Sequence, residues 1–171
     1  MTAPASEPLR VAIVEDDAVQ RSALMEVLRI EGFECDAFGS PEEALSHAFL
    51  LQADLLITDL NLPGMSGLEL IQQARQRTPD MGAILVTGHA SLQTAIDAVR
   101  VGAVDYVLKP FKLSTMLSTV SKALEQHRLR REVARLQLDL KERYEEVLLI
   151  NKELDTFAAR LSHDLRGPIT N

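Results

Sequence analysis

The sequence predicts a doubly wound α/β fold, a five-stranded parallel sheet with helices on both faces, continued by one long C-terminal helix. Three observations carry that expectation. Short apolar, β-branched runs alternate with helical patterns over the first 121 residues, acidic and hydroxyl side chains fall where those runs end, and residues 113–165 contain neither Pro nor Gly. Buried parallel strands read as near-continuous apolar runs, and joining parallel neighbours needs crossovers that cover both faces of a sheet.

The first strand is expected at 10–14, followed by a helical pattern over 19–31 that Gly32 stops. A second strand at 34–38 leads to Ser40-Pro41, a side-chain cap followed by a residue pre-set for a first helical turn, and so to a helix over 41–51. The third strand is expected at 54–58 and its crossover helix at 67–77. A fourth strand at 82–87, a helix at 91–101 closed by Gly102 and a fifth strand at 104–108 complete the sheet.

The last helix carries a different period. Val133, Leu140, Val147, Leu154 and Leu161 recur every seven residues, and Leu129, Leu136, Ile150 and Phe157 form a second column, interrupted by Arg143. This is the a/d pattern of a left-handed coiled coil. A helix of about 50 residues is roughly 75 Å long at 1.5 Å per residue. Its seam needs a partner, and a parallel homodimer is expected, with Arg143 either a register device or a weak layer, since a desolvated charge costs stability.

Composition narrows the function classes. The chain is 46% apolar, enough for a packed core, and has no apolar run long enough to cross a membrane. Residues 1–8 are expected to be a short disordered tail, since they lack the basic start and apolar stretch of a signal peptide. A lone Cys35 offers neither a disulfide framework nor a thiolate metal site, as suits a reducing cytoplasm. The net charge of −7 is uneven: residues 1–121 hold 8 basic and 16 acidic side chains, and residues 122–171 hold 10 and 9. An acidic first part is a poor match for nucleic acid, so no direct binding to it is expected.

In open α/β sheets ligand chemistry collects at the carboxyl ends of the strands. That rule gathers Glu15, Asp16 and Asp17 after the first strand, Asp59 at the end of the third, Thr87 at the end of the fourth and Lys109 after the fifth. An acidic triplet after a strand can also simply charge a helix N-terminus. Clustered carboxylates repel unless a cation sits among them, and hard oxygen ligands at an open site suit Mg²⁺. Asp59 can then attack a phosphoryl group while Lys109 and Thr87 hold its oxygens.

Four stretches resemble the signatures of two-component receiver domains: Val-Ala-Ile-Val-Glu-Asp-Asp at 11–17, Ile-Thr-Asp-Leu-Asn-Leu-Pro-Gly-Met-Ser-Gly at 57–67, Leu-Val-Thr-Gly-His-Ala at 85–90 and Gly-Ala-Val-Asp-Tyr-Val-Leu-Lys-Pro-Phe at 102–111. The resemblance spans 9–125 and implies a flavodoxin-like receiver with Asp59 as phosphoacceptor. By the same resemblance Asp16 is a direct Mg²⁺ ligand, Glu15 reaches the metal through water, and Asn61 through its backbone carbonyl. Thr87 and Tyr106 would be paired switch residues, and the Lys109-Pro110 bond would be cis. Receivers more often carry Asp where Glu15 stands.

Residues 157–169, Phe-Ala-Ala-Arg-Leu-Ser-His-Asp-Leu-Arg-Gly-Pro-Ile, resemble the phosphoacceptor box of sensor histidine kinases. His163 falls two positions after the seam residue Leu161, on the exposed side of the heptad, with Asp164 beside it to orient the ring. The resemblance implies a dimerisation helix over 126–171 ending in a truncated box, and so the first part of a hybrid histidine kinase without its ATP-binding domain. Its phosphodonor would be a histidine kinase or a phosphotransfer protein. Two other readings stand beside this one. A response regulator would use the coiled coil to reach a transcriptional output, and a haloacid-dehalogenase-like phosphatase would use Asp59 as nucleophile but wants an Asp where Asn61 stands.

Overall fold

A computed structural model describes residues 8–89 and 91–164. Its strands are β1 (Arg10–Val14), β2 (Glu34–Phe38), β3 (Leu55–Asp59), β4 (Gly82–Thr87) and β5 (Asp105–Leu108), all parallel in the order β2-β1-β3-β4-β5. The helices are α1 (Ala18–Ile30), α2 (Pro41–Ser46), α3 (Gly67–Arg77), α4 (Leu92–Arg100) and α5 (Leu113–Asp164). The doubly wound fold read from the sequence is the fold observed.

Alternation along the strands builds two cores. Val11, Ile13, Leu55, Ile57, Ile84 and Val86 face one way and pack on Leu24 and Leu28 of α1 and on Met116, Val120 and Leu124 of α5. Ala12, Val14, Leu56, Ala83 and Leu85 face the other way onto Leu70, Ile71 and Ala74 of α3 and Ala98 of α4. Both faces of the central strands are therefore dry, as the apolar runs required. Cys35 belongs to the first core, where burial pushes its thiol up to about 11, so it is a packing residue and not a nucleophile.

The second helix departs from expectation. α2 ends at Ser46, His47 turns extended, and a 3-10 turn follows at Ala48–Gln52. The His47 Nδ1 accepts from the Phe49 amide at 3.3 Å, which caps the new turn and brings Leu50 into the second core. β3 and β5 also begin one residue later than expected, because Asp54 and Val104 hydrogen-bond as strand entrances: Asp54 N donates to Arg10 O, and Val104 N to Ala83 O.

The chain falls into two units, through Leu129 and from Arg130. In the first, α5 is buried as far as His127, whose Nδ1 lies 3.8 Å from Asp54 Oδ1 while the other Asp54 oxygen accepts from the Arg10 amide. In the second, α5 is helical through Asp164 with every seam residue exposed. No described helix is long and apolar enough to cross a membrane.

Candidate functional site

The order of the sheet reverses between β1 and β3, so the crevice at their carboxyl ends is open above the sheet. β1 delivers Glu15 there and β3 delivers Asp59, and both are less than a tenth exposed. Lys109, on the loop after β5, places its Nζ 2.7 Å from Glu15 Oε2 and 2.5 Å from Asp59 Oδ2. One ammonium thus bridges two buried acids. The Asn61 amide donates to Asp59 Oδ1 at 2.9 Å, so each carboxylate oxygen of Asp59 has a partner.

The backbone holds Asp59 still. Leu60 N donates to Val86 O, Gly67 N to Leu60 O, and the Thr58 hydroxyl to Asp59 O. Gly67 opens α3 so close to β3 that a Cβ there would stand 2.1 Å from the Asp59 carbonyl oxygen. Only glycine lets the helix start at this distance. Ser66 and Glu69 close that start as a capping box, which also draws the Glu69 carboxyl below its ordinary value through hydrogen bonds from Ser66.

Electrostatics follow from the burial. Glu15 is raised above the usual carboxylate range by desolvation, against the lowering effects of the Lys109 hydrogen bond and charge. Desolvation works against the Lys109 ammonium too, but hydrogen bonds to Asp59 and Glu15 outweigh it and hold Lys109 above its ordinary value. Asp17 is lowered by the Gln20 and Val19 amides it caps. The acidic triplet therefore divides its labour: Glu15 faces the site, exposed Asp16 stands at the rim, and Asp17 starts α1.

Thr87 is fully buried, and its hydroxyl donates to His89 O at 3.1 Å and accepts from His89 N at 3.2 Å. Its own carbonyl accepts from Lys109 N, which ties the ends of β4 and β5 together. Tyr106 is 40% exposed on the edge strand, and the Lys109-Pro110 bond is cis as expected. Beside Asp59 a cleft of about 520 Å³ opens between α1 and the loop after β5. His163 is exposed at the end of α5; residues 165–169 of the box lie outside the described residues.

Among the described residues no three acidic, His or Cys side chains converge into a ready metal cage. The donor set still fits a hard divalent cation in kind, since Glu15 and Asp59 are oxygen donors that share one positive charge and Asp16 adds a third carboxylate at the rim. Sequence reasoning missed the Asn61 amide on Asp59 and the close approach at Gly67. The Gly three residues after a Pro-Gly turn was the available signal for the second.

The response regulator receiver domain matches residues 11–121 of this chain. The chain belongs to that family. It is 35% identical over 119 residues to the C4-dicarboxylate transport transcriptional regulatory protein DctD of Rhizobium meliloti, covering 70% of this chain and 26% of that protein. It is 36% identical over 115 residues to the DNA-binding transcriptional regulator NtrC of Klebsiella pneumoniae, covering 67% and 24%. Among solved structures, a CheY-like receiver from Methanospirillum hungatei aligns with TM-score 0.67 and 29% identity over 72% of this chain and 99% of that one. NtrX from Brucella abortus aligns with TM-score 0.70 and 29% identity over 75% and 30%. The receiver thus spans about a quarter of the transcriptional regulators it matches.

Proposed function

We propose that the chain is a phosphoryl-accepting switch in two-component signalling. An Asp59 carboxylate oxygen attacks the phosphorus of a phosphohistidine donor: the new O–P bond forms, the N–P bond breaks, and the donor imidazole leaves with the bonding pair and takes up a proton. The observation that carries this reading is the Lys109 ammonium held by Glu15 and Asp59, because it stands where charge develops on the transferring group. Receiver domains generally bind Mg²⁺ for phosphorylation. Here Glu15, Asp16, Asp59 and the Asn61 backbone carbonyl would hold it, and when bound it supplies countercharge to phosphoryl oxygens.

The output follows from Thr87. When Asp59 carries a phosphoryl group, the Thr87 hydroxyl exchanges His89 for a phosphoryl oxygen, and the Tyr106 ring moves into the vacated space. The surface affected is apolar for a switch face: Leu92 is 80% and Val99 74% exposed on α4, beside Tyr106 and Leu108. The names of DctD and NtrC support a transcriptional output connected through α5. A second reading has its own support: exposed His163, preceded by Ser162 and followed by Asp164, would be the phosphoacceptor of an attached histidine kinase.

Incubation with acetyl phosphate and Mg²⁺, followed by intact mass measurement, tests the switch. A single lasting adduct, absent in Asp59→Asn, is the expected result; repeated turnover without an adduct would mean a phosphatase. For the second reading, the chain is labelled with ATP and a purified histidine-kinase catalytic domain. An acid-labile, alkali-stable label lost in His163→Gln supports it, and a label confined to Asp59 removes it.

A further inference from the structure

The cleft beside Asp59 has apolar walls and a charged mouth. Ala23 and Leu24 of α1 form one wall and Phe111 the other, over a floor that includes Ile57 and Val86. Glu15, Asp59 and Lys109 stand at the opening. The chemistry at Asp59 uses that opening and leaves the walls without a task. A volume of about 520 Å³ lies in the range of small-molecule sites, which join apolar walls to a few convergent polar groups. Water between such walls is short of hydrogen-bond partners, so an apolar group replaces it favourably.

The mouth selects the sign of the charge. Glu15 and Asp59 set two carboxylates against the single Lys109 ammonium, and exposed Asp16 adds an acid at the rim. Two other cations are close in sequence, and neither lines the cleft. Arg21 Nη1 donates to the Glu15 and Asp16 carbonyl oxygens at 2.7 and 3.2 Å, and Lys112 is exposed beyond Phe111. Burial raises Glu15 above the usual carboxylate range, as it does for an acid whose counter-charge is incomplete. Glu15 Oε1 accepts a 3.3 Å bond from the Asp17 amide, and a carboxylate oxygen has room for a second. We propose that the cleft binds a small organic ammonium ion carrying one apolar group, with the ammonium on Glu15 and Asp59 and the apolar group between Ala23 and Phe111. An anion of the same shape would meet two carboxylates and give up its own hydration. A polyamine would leave the apolar walls unfilled. Bound there, the ammonium covers Asp59 and keeps a phosphoryl donor from it. The site goes beyond the receiver switch, since binding needs the cleft and not the transfer reaction.

Tryptamine is the probe, with indole-3-propionate as its anionic counterpart and 3-methylindole as its neutral one. In an amide NMR titration of the full chain in metal-free buffer, tryptamine is expected to bind with a dissociation constant below about 1 mM, the scale for a ligand of its size. The shifts should centre on Ala23, Leu24 and Phe111, and the other two compounds should bind at least about tenfold more weakly. No saturable shift, or shifts confined to another surface, would reject the cleft. Equal binding of either counterpart would overturn the assignment of charge. Ala23 is exposed, so Ala23→Phe fills the cleft without entering the core. This variant should lose tryptamine binding and still form the acetyl phosphate adduct. Retained binding overturns the proposal, and should the variant not fold, the shift map of the unsubstituted chain decides. Saturating tryptamine should slow adduct formation in the unsubstituted chain; an undiminished rate would mean that the ammonium is not on Asp59 and overturns the placement. Adduct formation without tryptamine is unaffected by any of these outcomes, so this proposal and the switch reading fall separately.

Discussion

Lys109 Nζ lies 2.5 Å from Asp59 Oδ2 and bridges it to Glu15 across the switch point of the sheet. Two buried carboxylates are compatible with folding here because this cation sits on both. Lys109→Ala leaves them facing each other, so phosphorylation from acetyl phosphate is expected to slow about a hundredfold, the scale of one lost charge-stabilising donor. Calorimetric titration should show divalent-cation affinity rising in the same variant, since the competing ammonium is gone. Unchanged rate in Lys109→Ala would remove Lys109 from the chemistry.

The same bridge predicts a pH signature. Lys109 has a folded pKa above its ordinary 10.5, so the native state holds its proton more tightly than the unfolded chain does. Its contribution to stability is therefore full below about pH 10.5 and is lost as pH rises through the higher folded value. Urea midpoints measured from pH 8 upward should converge between the native chain and Lys109→Met only above that point. Glu15 has a dependence of the same sign in the acid range: being raised by burial, its ionised form costs stability that is recovered as pH falls through its folded value. Glu15→Gln should flatten that acid-side recovery.

Gly67 supplies a test of positioning. A methyl group at 67 would meet the Asp59 carbonyl oxygen at 2.1 Å, against backbone that has no side-chain freedom to yield. Gly67→Ala is expected to lower unfolding free energy by about 2 to 3 kcal/mol, in the range of overpacked sites. The adduct yield at Asp59 should fall with it, because α3 must move and Asp59 with it. Retained yield at full stability would mean that the start of α3 can move away independently.

Much of this arrangement was legible in the sequence, for physical reasons that differ by residue. The sheet was readable because Val11 to Val14 and Leu55 to Ile57 are buried on both faces and are apolar throughout. Asp59, Thr87 and Lys109 were readable because strand ends in this topology have to converge. What was not legible depends on contacts too local or too distant for periodicity. The break of α2 at His47 hangs on one ring nitrogen meeting the Phe49 amide. The division of labour in the acidic triplet was also hidden, since Glu15, Asp16 and Asp17 look alike until Asp17 is seen capping α1.

Thr87 separates chemistry from response. Its hydroxyl is now satisfied by both backbone groups of His89, so it is not needed to hold Asp59 in place. Thr87→Ala should form the phosphoryl adduct within about threefold of the normal yield, a change near RT. Hydrogen exchange across residues 91–100 should then stop responding to phosphorylation. If that response persists in Thr87→Ala, the coupling runs by another route.

In a dimer paired through the α5 seam, Arg143 would set the stability of the helices. In such a pair the Arg143 guanidinium, exposed in the single helix, would enter an apolar seam layer without a buried counter-ion of its own, with Asp139 reaching it only from the exposed flank. Replacing such a charge by a well-packed apolar side chain is stabilising by about 1 to 4 kcal/mol. Arg and Leu have nearly equal helix propensity, so Arg143→Leu tests packing and not the helix itself. The variant is expected to unfold at higher temperature and to remain dimeric at about tenfold lower concentration, the equivalent of 1.4 kcal/mol. Asp139→Asn, which removes the flanking acid and keeps its size, should shift the midpoint the other way. An Arg143→Leu chain whose dissociation is unchanged would mean that residue 143 is not in the buried layer, and the heptad assignment of the whole seam would have to move with it.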